Sequence, residues 1–156
     1  MMDTRRNFSK SLFVASALAL GLAGCGAMKP SNTVRLSAQL AGANEVPAVA
    51  SPGTGTAEAW LNKDTNLLTW KVSFSGLTGP ATAAHFHGPA VAGSNAGVVV
   101  PFTGTTSPLE GQATLTPAQA ADLLAGKWYA NVHTAANKGG EIRGQMLPSA
   151  GGASRY

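Results

Sequence analysis

The chain is poor in charge, in aromatic rings and in sulfur. Charged residues are 12% of 156 and aromatic ones 6%. With Lys and Arg scattered rather than clustered, this gives no case for nucleic-acid binding. Cys25 is the only cysteine, so no intramolecular disulfide can staple the fold. Three histidines, His85, His87 and His133, are the whole imidazole content. No Ser/His/Asp grouping and no nucleophile-elbow motif is present. The glycine-rich stretch "GPAVAGSNAG" (88–97) lacks the Lys-Ser/Thr ending and following helix of a phosphate loop; it reads as a flexible loop beside the histidines. The apolar run Ser11 to Ala23 is too short to span a bilayer comfortably.

What that run does have is a setting. Arg5, Arg6 and Lys10 precede it, and Leu22-Ala23-Gly24-Cys25 follows. This is the order of an export signal ending in a lipobox, in which the cysteine receives the lipid. "TRRNFSK" further resembles the twin-arginine signal, with ordinary secretion as the alternative. The expected organisation is a signal peptide over 1–24, a lipidated tether over 25–33, one domain over 34–148 and a disordered tail over 149–156. The expected location is extracytoplasmic, with Cys25 holding a bacterial membrane on its periplasmic side or at the cell surface. Removing Arg5, Arg6, Lys10 and Asp3 leaves 8 basic against 6 acidic residues, so much of the apparent basicity departs with the signal.

The rest of the chain alternates with period two. In "TVRLSAQL", Val34, Leu36, Ala38 and Leu40 share one face; in "LLTWKVSFSG", Leu68, Trp70, Val72 and Phe74 do, as in half-buried strands. "GTGTAEAWL" (53–61) precedes the second across a five-residue connection, which predicts a hairpin. Further strands are expected at 82–87, 97–102, 109–115, 127–133 and 140–147. About eight short strands between Gly/Pro/Asn turns predict an all-β antiparallel, Greek-key-like sandwich or barrel. One helix interrupts them: Thr116 is placed to cap it, Pro117 to open it, Gln119 to close a capping box and Gly126 to end it.

Four spaced motifs then stand in order: Asn44-Glu45-Val46-Pro47, the His85/His87 segment, Tyr129-Asn131-His133, and Gly140-Glu141-Ile142-Arg143-Gly144. Together they resemble the CHRD domain, named for repeats in chordin and common in bacterial exported proteins, over roughly residues 34–147. The resemblance implies an antiparallel β-sandwich or barrel and transfers no general biochemical activity.

The histidines pose the functional question. Residues i and i+2 of a strand project from one face with Cβ atoms about 6–7 Å apart, so His85 and His87 can converge on one ion. Parity puts Ala84 and Phe86 on the opposite face, and separates Trp128, Ala130 and Val132 from Tyr129, Asn131 and His133. If the apolar faces form the core, all three histidines lie on the outer side and meet only if their strands are neighbours. His-x-His with a distant third histidine is also similar to the copper site of Cu/Zn superoxide dismutases. Those enzymes use further histidines and an aspartate for the second metal, plus an intramolecular disulfide; this chain has three histidines and one cysteine, so the bimetallic type is excluded in its usual form.

A three-histidine site suits copper or zinc and leaves a position open. Tyr129, Asn131 and Glu141 are then the candidates for orienting the imidazoles. The alternative is a polar strand face, with the rings hydrogen-bonded to turns and His133 bracing the "TAANKGGE" loop. Glu45 and Arg143 are expected to form a structural ion pair. The functional readings are a non-catalytic binding module for a protein or polysaccharide ligand, a mononuclear copper or zinc protein with superoxide-dismutase-like redox chemistry, or a structural envelope component. No residue is singled out as catalytic.

Overall fold

A computed structural model describes Met1 and residues 32–149; the expected leader, the lipobox and residues 150–156 of the expected tail lie outside them. Among the described residues eight strands form: β1 (Thr33–Ala41), β2 (Thr54–Asn62), β3 (Leu67–Ser75), β4 (Ala81–His87), β5 (Val98–Pro101), β6 (Leu109–Thr114), β7 (Trp128–Thr134) and β8 (Ile142–Pro148). They pair antiparallel in one sheet, in the order β5-β4-β7-β8-β1-β2-β3-β6. The sheet curls into a nearly closed barrel. Phe102, just past the edge strand β5, stacks on Trp70 of β3 with ring centroids 5.2 Å apart, so the two ends of the sheet approach each other.

Alternation decides what fills the barrel. Leu36, Ala38 and Leu40, Leu68, Trp70 and Val72, Ala84 and Phe86, and Trp128, Ala130 and Val132 all face inward and are buried. Met146 lies in the same interior as Ile142, where its parity puts it. The β2–β3 hairpin pairs in continuous register from Thr54↔Ser75 to Asn62↔Leu67. Burying side chains of this size contributes roughly 1.5–3 kcal/mol each against leaving them in water.

The helix α1 (Pro117–Leu124) has its capping box complete: Gln119 N donates to Thr116 Oγ1 and Thr116 N to Gln119 Oε1. Gly126 follows at φ +70°, a left-handed position that glycine adopts without a Cβ penalty. Ala120 and Leu123 of this helix are buried with Leu115 in the same core cluster.

The outer face of the barrel is less simple. Every residue of β7 is buried, including Tyr129, Asn131 and His133. These point away from the core, yet little of their surface reaches water. Two connections are tied to the face they occupy. Segment 42–46 is held by Asn44 Nδ2, which donates to the carbonyls of Gln39 and Arg143, and by Glu45. Loop 88–97, expected to be flexible, is fastened at Ala90, Ser94, Asn95 and Ala96. A second, polar buried layer thus lies outside the first, apolar one.

Candidate metal centre

Register brings the histidines together. β4 and β7 are neighbours, with Ala83↔His133, His85↔Asn131 and His87↔Tyr129 as paired residues. His133 therefore stands diagonally beside His85 on the outer face. One ligand nitrogen from each of His85, His87 and His133 lies within 4.8 Å of the others. His85 Nδ1 and His133 Nε2 are 3.2 Å apart. Two nitrogens about 2.0–2.1 Å from one ion in tetrahedral geometry stand ~3.3–3.4 Å apart, so this pair has the separation a shared ion needs.

The tautomers follow from the partners. His87 Nδ1 is 3.0 Å from the carbonyl of Ala96, and His133 Nδ1 is 3.0 Å from that of Lys138. A carbonyl only accepts, so both Nδ1 atoms carry the proton and both Nε2 atoms of the neutral rings present lone pairs. Metal-ligating histidines are commonly oriented this way, through the nitrogen that does not bind. His87 Nε2 is buried without a hydrogen-bond partner. An acceptor left bare in this way costs about 1–3 kcal/mol.

Charge on the rings is suppressed as well. Burial lowers the His85 pKa, and the neighbouring His133 and His87 lower it further. Burial also lowers that of His87; its bond to Ala96 opposes the shift, while His133 and Arg143 add to it. Both rings are thus held toward the neutral form that binds metal. Each is only half-buried, which leaves a path from solvent.

The residues expected to support the histidines divide. Tyr129 does touch one, by its ring face: the His87 and Tyr129 rings are parallel within 1°, centroids 4.8 Å apart. Its hydroxyl accepts from Ala96 N at 3.1 Å and donates to Ala96 O at 3.3 Å, so one residue, Ala96, holds both rings. Asn131 bonds no histidine; its Nδ2 donates to the Glu45 carboxylate at 3.0 and 3.2 Å, and its Oδ1 is buried without a partner.

Glu141 has to be reassigned. Fully buried, it accepts from Ser51 Oγ, Thr78 N, Thr78 Oγ1, Thr134 Oγ1 and Asn137 Nδ2 at 2.6–3.2 Å and contacts no imidazole by hydrogen bond. Gly140, at φ +130°, bends the chain just before β8 and delays that strand to Ile142. Glu141 therefore meets hydroxyls instead of rings.

Glu45 and Arg143 also depart from expectation. The ion pairs within 4.0 Å among the described residues are Arg35–Glu58, Lys71–Glu110 and Lys127–Asp122, and Glu45–Arg143 is not among them. Burial drives the Glu45 carboxyl up to about 7, which the Arg143 charge and the Asn131 bond only partly oppose. Arg143 is 2% exposed. Its guanidinium lies over the Tyr129 ring, 3.4 Å from the centroid, and donates to Asn95 Oδ1 at 2.8 Å and to the Ser94 carbonyl. A cleft of about 340 Å³ between segment 43–46 and loop 88–97 reaches both residues, with Asn44, Ala92 and Gln145 in its walls.

Sequence reasoning missed the carbonyls of Ala96 and Lys138, and Arg143 as a partner of Tyr129. Backbone carbonyls leave no trace in residue type. Arg143 did carry a signal, since it alternates with Ile142 and so shares the outer face with Tyr129.

The family described as the CHRD domain matches residues 36–146, well over half of the chain, and the chain belongs to that family. No curated protein and no solved structure matches it.

Proposed function

We propose that this CHRD-domain protein is a binding module whose ligand is a single copper or zinc ion, held by His133 through Nε2, His87 through Nε2 and His85 through Nδ1. One observation carries the reading: one ring nitrogen from each of His85, His87 and His133 lies within 4.8 Å of the others, and in the same cluster His87 Nε2 is buried without a hydrogen-bond partner. A polar strand face needs hydrogen bonds, and all three rings have one through Nδ1, His85 to His133 Nε2, His87 to Ala96 and His133 to Lys138. It does not need a bare acceptor. Three protein ligands leave one position for water or a ligand group. The chain's own residues supply neutral imidazoles, fixed tautomers and partial exclusion of water; no residue is assigned to catalysis.

The test is metal analysis of the purified protein beside a His85→Ala/His87→Ala/His133→Ala variant. The reading predicts one equivalent of copper or zinc in the first and none in the second. Equal content in both would refute it. We further propose that the module is exported and lipid-anchored through Cys25, on the support of the basic start, apolar run and lipobox. Cys25→Ser should then move the protein out of the membrane fraction.

A further inference from the structure

The cleft between segment 43–46 and loop 88–97, about 340 Å³, is lined by two buried ionisable groups of opposite sign, Glu45 and Arg143. Buried charges are ordinarily paired, because water no longer solvates them. These two stand close enough for the Arg143 charge to lower the Glu45 pKa. Yet no Glu45–Arg143 contact falls within 4.0 Å. The partner that Glu45 does have, Asn131, is itself left with a bare buried Oδ1.

The bonding groups of the cleft can be counted. A guanidinium has five N–H donors; Asn95 and Ser94 take two of them, and the rest have no bond among the described residues. Asn44 and Gln145, in the same walls, spend their amide N–H groups on backbone carbonyls, and their amide oxygens are left over. The cleft thus presents one cationic donor fork and three acceptor groups, a carboxyl and two amide oxygens. Ala43, Val46 and Ala92 add apolar wall and no further charge. We infer that the cleft is a second binding site, for a small zwitterion: an α-amino acid with an apolar side chain, its carboxylate on Arg143 and its ammonium on Glu45, Asn44 and Gln145. Arginine meets carboxylates with two parallel bonds, and an ammonium carries three donors, one for each acceptor group. The opposed charges of Glu45 and Arg143 offset each other, which favours such a ligand over a simple anion or cation. No histidine lines the cleft, so the inference does not rest on the metal reading.

The experiment titrates the full-length protein at pH 8, above the Glu45 pKa of about 7, with L-alanine and with its two halves, acetate and ethylammonium. Calorimetry gives the affinities, and ¹⁵N NMR follows the side-chain amides. The inference expects one equivalent of alanine, bound at least about tenfold more tightly than either half, with the Asn44 and Gln145 signals shifting together. Glu45→Gln, a neutral isostere, should bring alanine down to the affinity of acetate without weakening acetate. Arg143→Gln should bring it down to that of ethylammonium. Alanine bound no better than its halves overturns the inference, and so does a Glu45→Gln variant that binds alanine as the wild type does. If Arg143→Gln does not fold, those two results decide. Glucose bound in place of alanine would mark a site for a neutral polyol and overturn the zwitterion; no binding of either overturns the site. None of these outcomes touches the metal reading, which metal analysis tests separately.

Discussion

Two buried carboxylates on the outside of this barrel have opposite environments. Around Glu141, three hydroxyls, an amide and a backbone N–H converge on two oxygens. Burial alone would raise this carboxyl, but the bonds from Ser51, Thr134 and Thr78 outweigh it and hold it at about 2. Around Glu45 the accounts do not close: burial wins, the carboxyl rises to about 7, and its partner Asn131 keeps a bare Oδ1. The histidine cluster lies beside Asn131, with its own bare Nε2. A fully satisfied polar cluster holds strands together. An unsatisfied one has room for something else, and residue type alone does not distinguish them.

Breaking the satisfied side should do the most damage. Glu141→Ala strands four donor side chains and a backbone N–H, and should cost about 3 kcal/mol or more of unfolding free energy in denaturant titrations. The same group fixes the acid limb. Its folded pKa lies below the 4.5 of the free group, so the stability it contributes is full above about pH 4.5 and is lost as pH falls through 2. Glu141→Gln should flatten that limb.

Gly140→Ala should come next. The position has φ +130°, and a Cβ there would meet both Asn131 amide atoms and Glu45 Oε1 at 2.5–2.6 Å. A loss of about 1–3 kcal/mol is expected, together with perturbed histidine signals, because Asn131 neighbours the cluster.

Glu45→Gln should act with the opposite sign. Its folded pKa is raised, so protonation favours the fold: the contribution is present below about pH 4.5 and is lost as pH rises through 7. Replacing it with a neutral isostere should stabilise the protein at pH 8 by about 1 kcal/mol and leave acid stability nearly unchanged.

The smallest change in stability should come from the centre itself. His87→Ala removes a bond to Ala96 and a ring stack but also a bare buried acceptor, for a net cost under about 1 kcal/mol. It should nevertheless abolish metal binding. If His87→Ala unfolds the protein as readily as Glu141→Ala, the contrast between the two regions fails.

Much of this was legible beforehand. Period-two alternation located eight strands and sorted their faces, because one face of each is dry core. The same parity placed Tyr129, Asn131 and His133 on a common outer face. Beyond the β2–β3 hairpin, pairing was not legible: β4 lies 41 residues from β7 in sequence, counted from His87 to Trp128, and nothing local says they are neighbours. Nor was the roof. Parity sends a side chain out of the barrel, but whether it meets water depends on connections such as 88–97, whose anchors are backbone carbonyls. The Glu141 assignment failed for a related reason, since one turn at Gly140 decides which neighbours the carboxylate meets.

The most direct test follows the imidazole nitrogens. In a ¹⁵N NMR titration with a diamagnetic ion, His87 Nε2, His133 Nε2 and His85 Nδ1 should shift together and saturate at one equivalent, while His87 and His133 keep their Nδ1 protons on Ala96 and Lys138. Shifts at different ion concentrations, or confined to one ring, would contradict a shared centre.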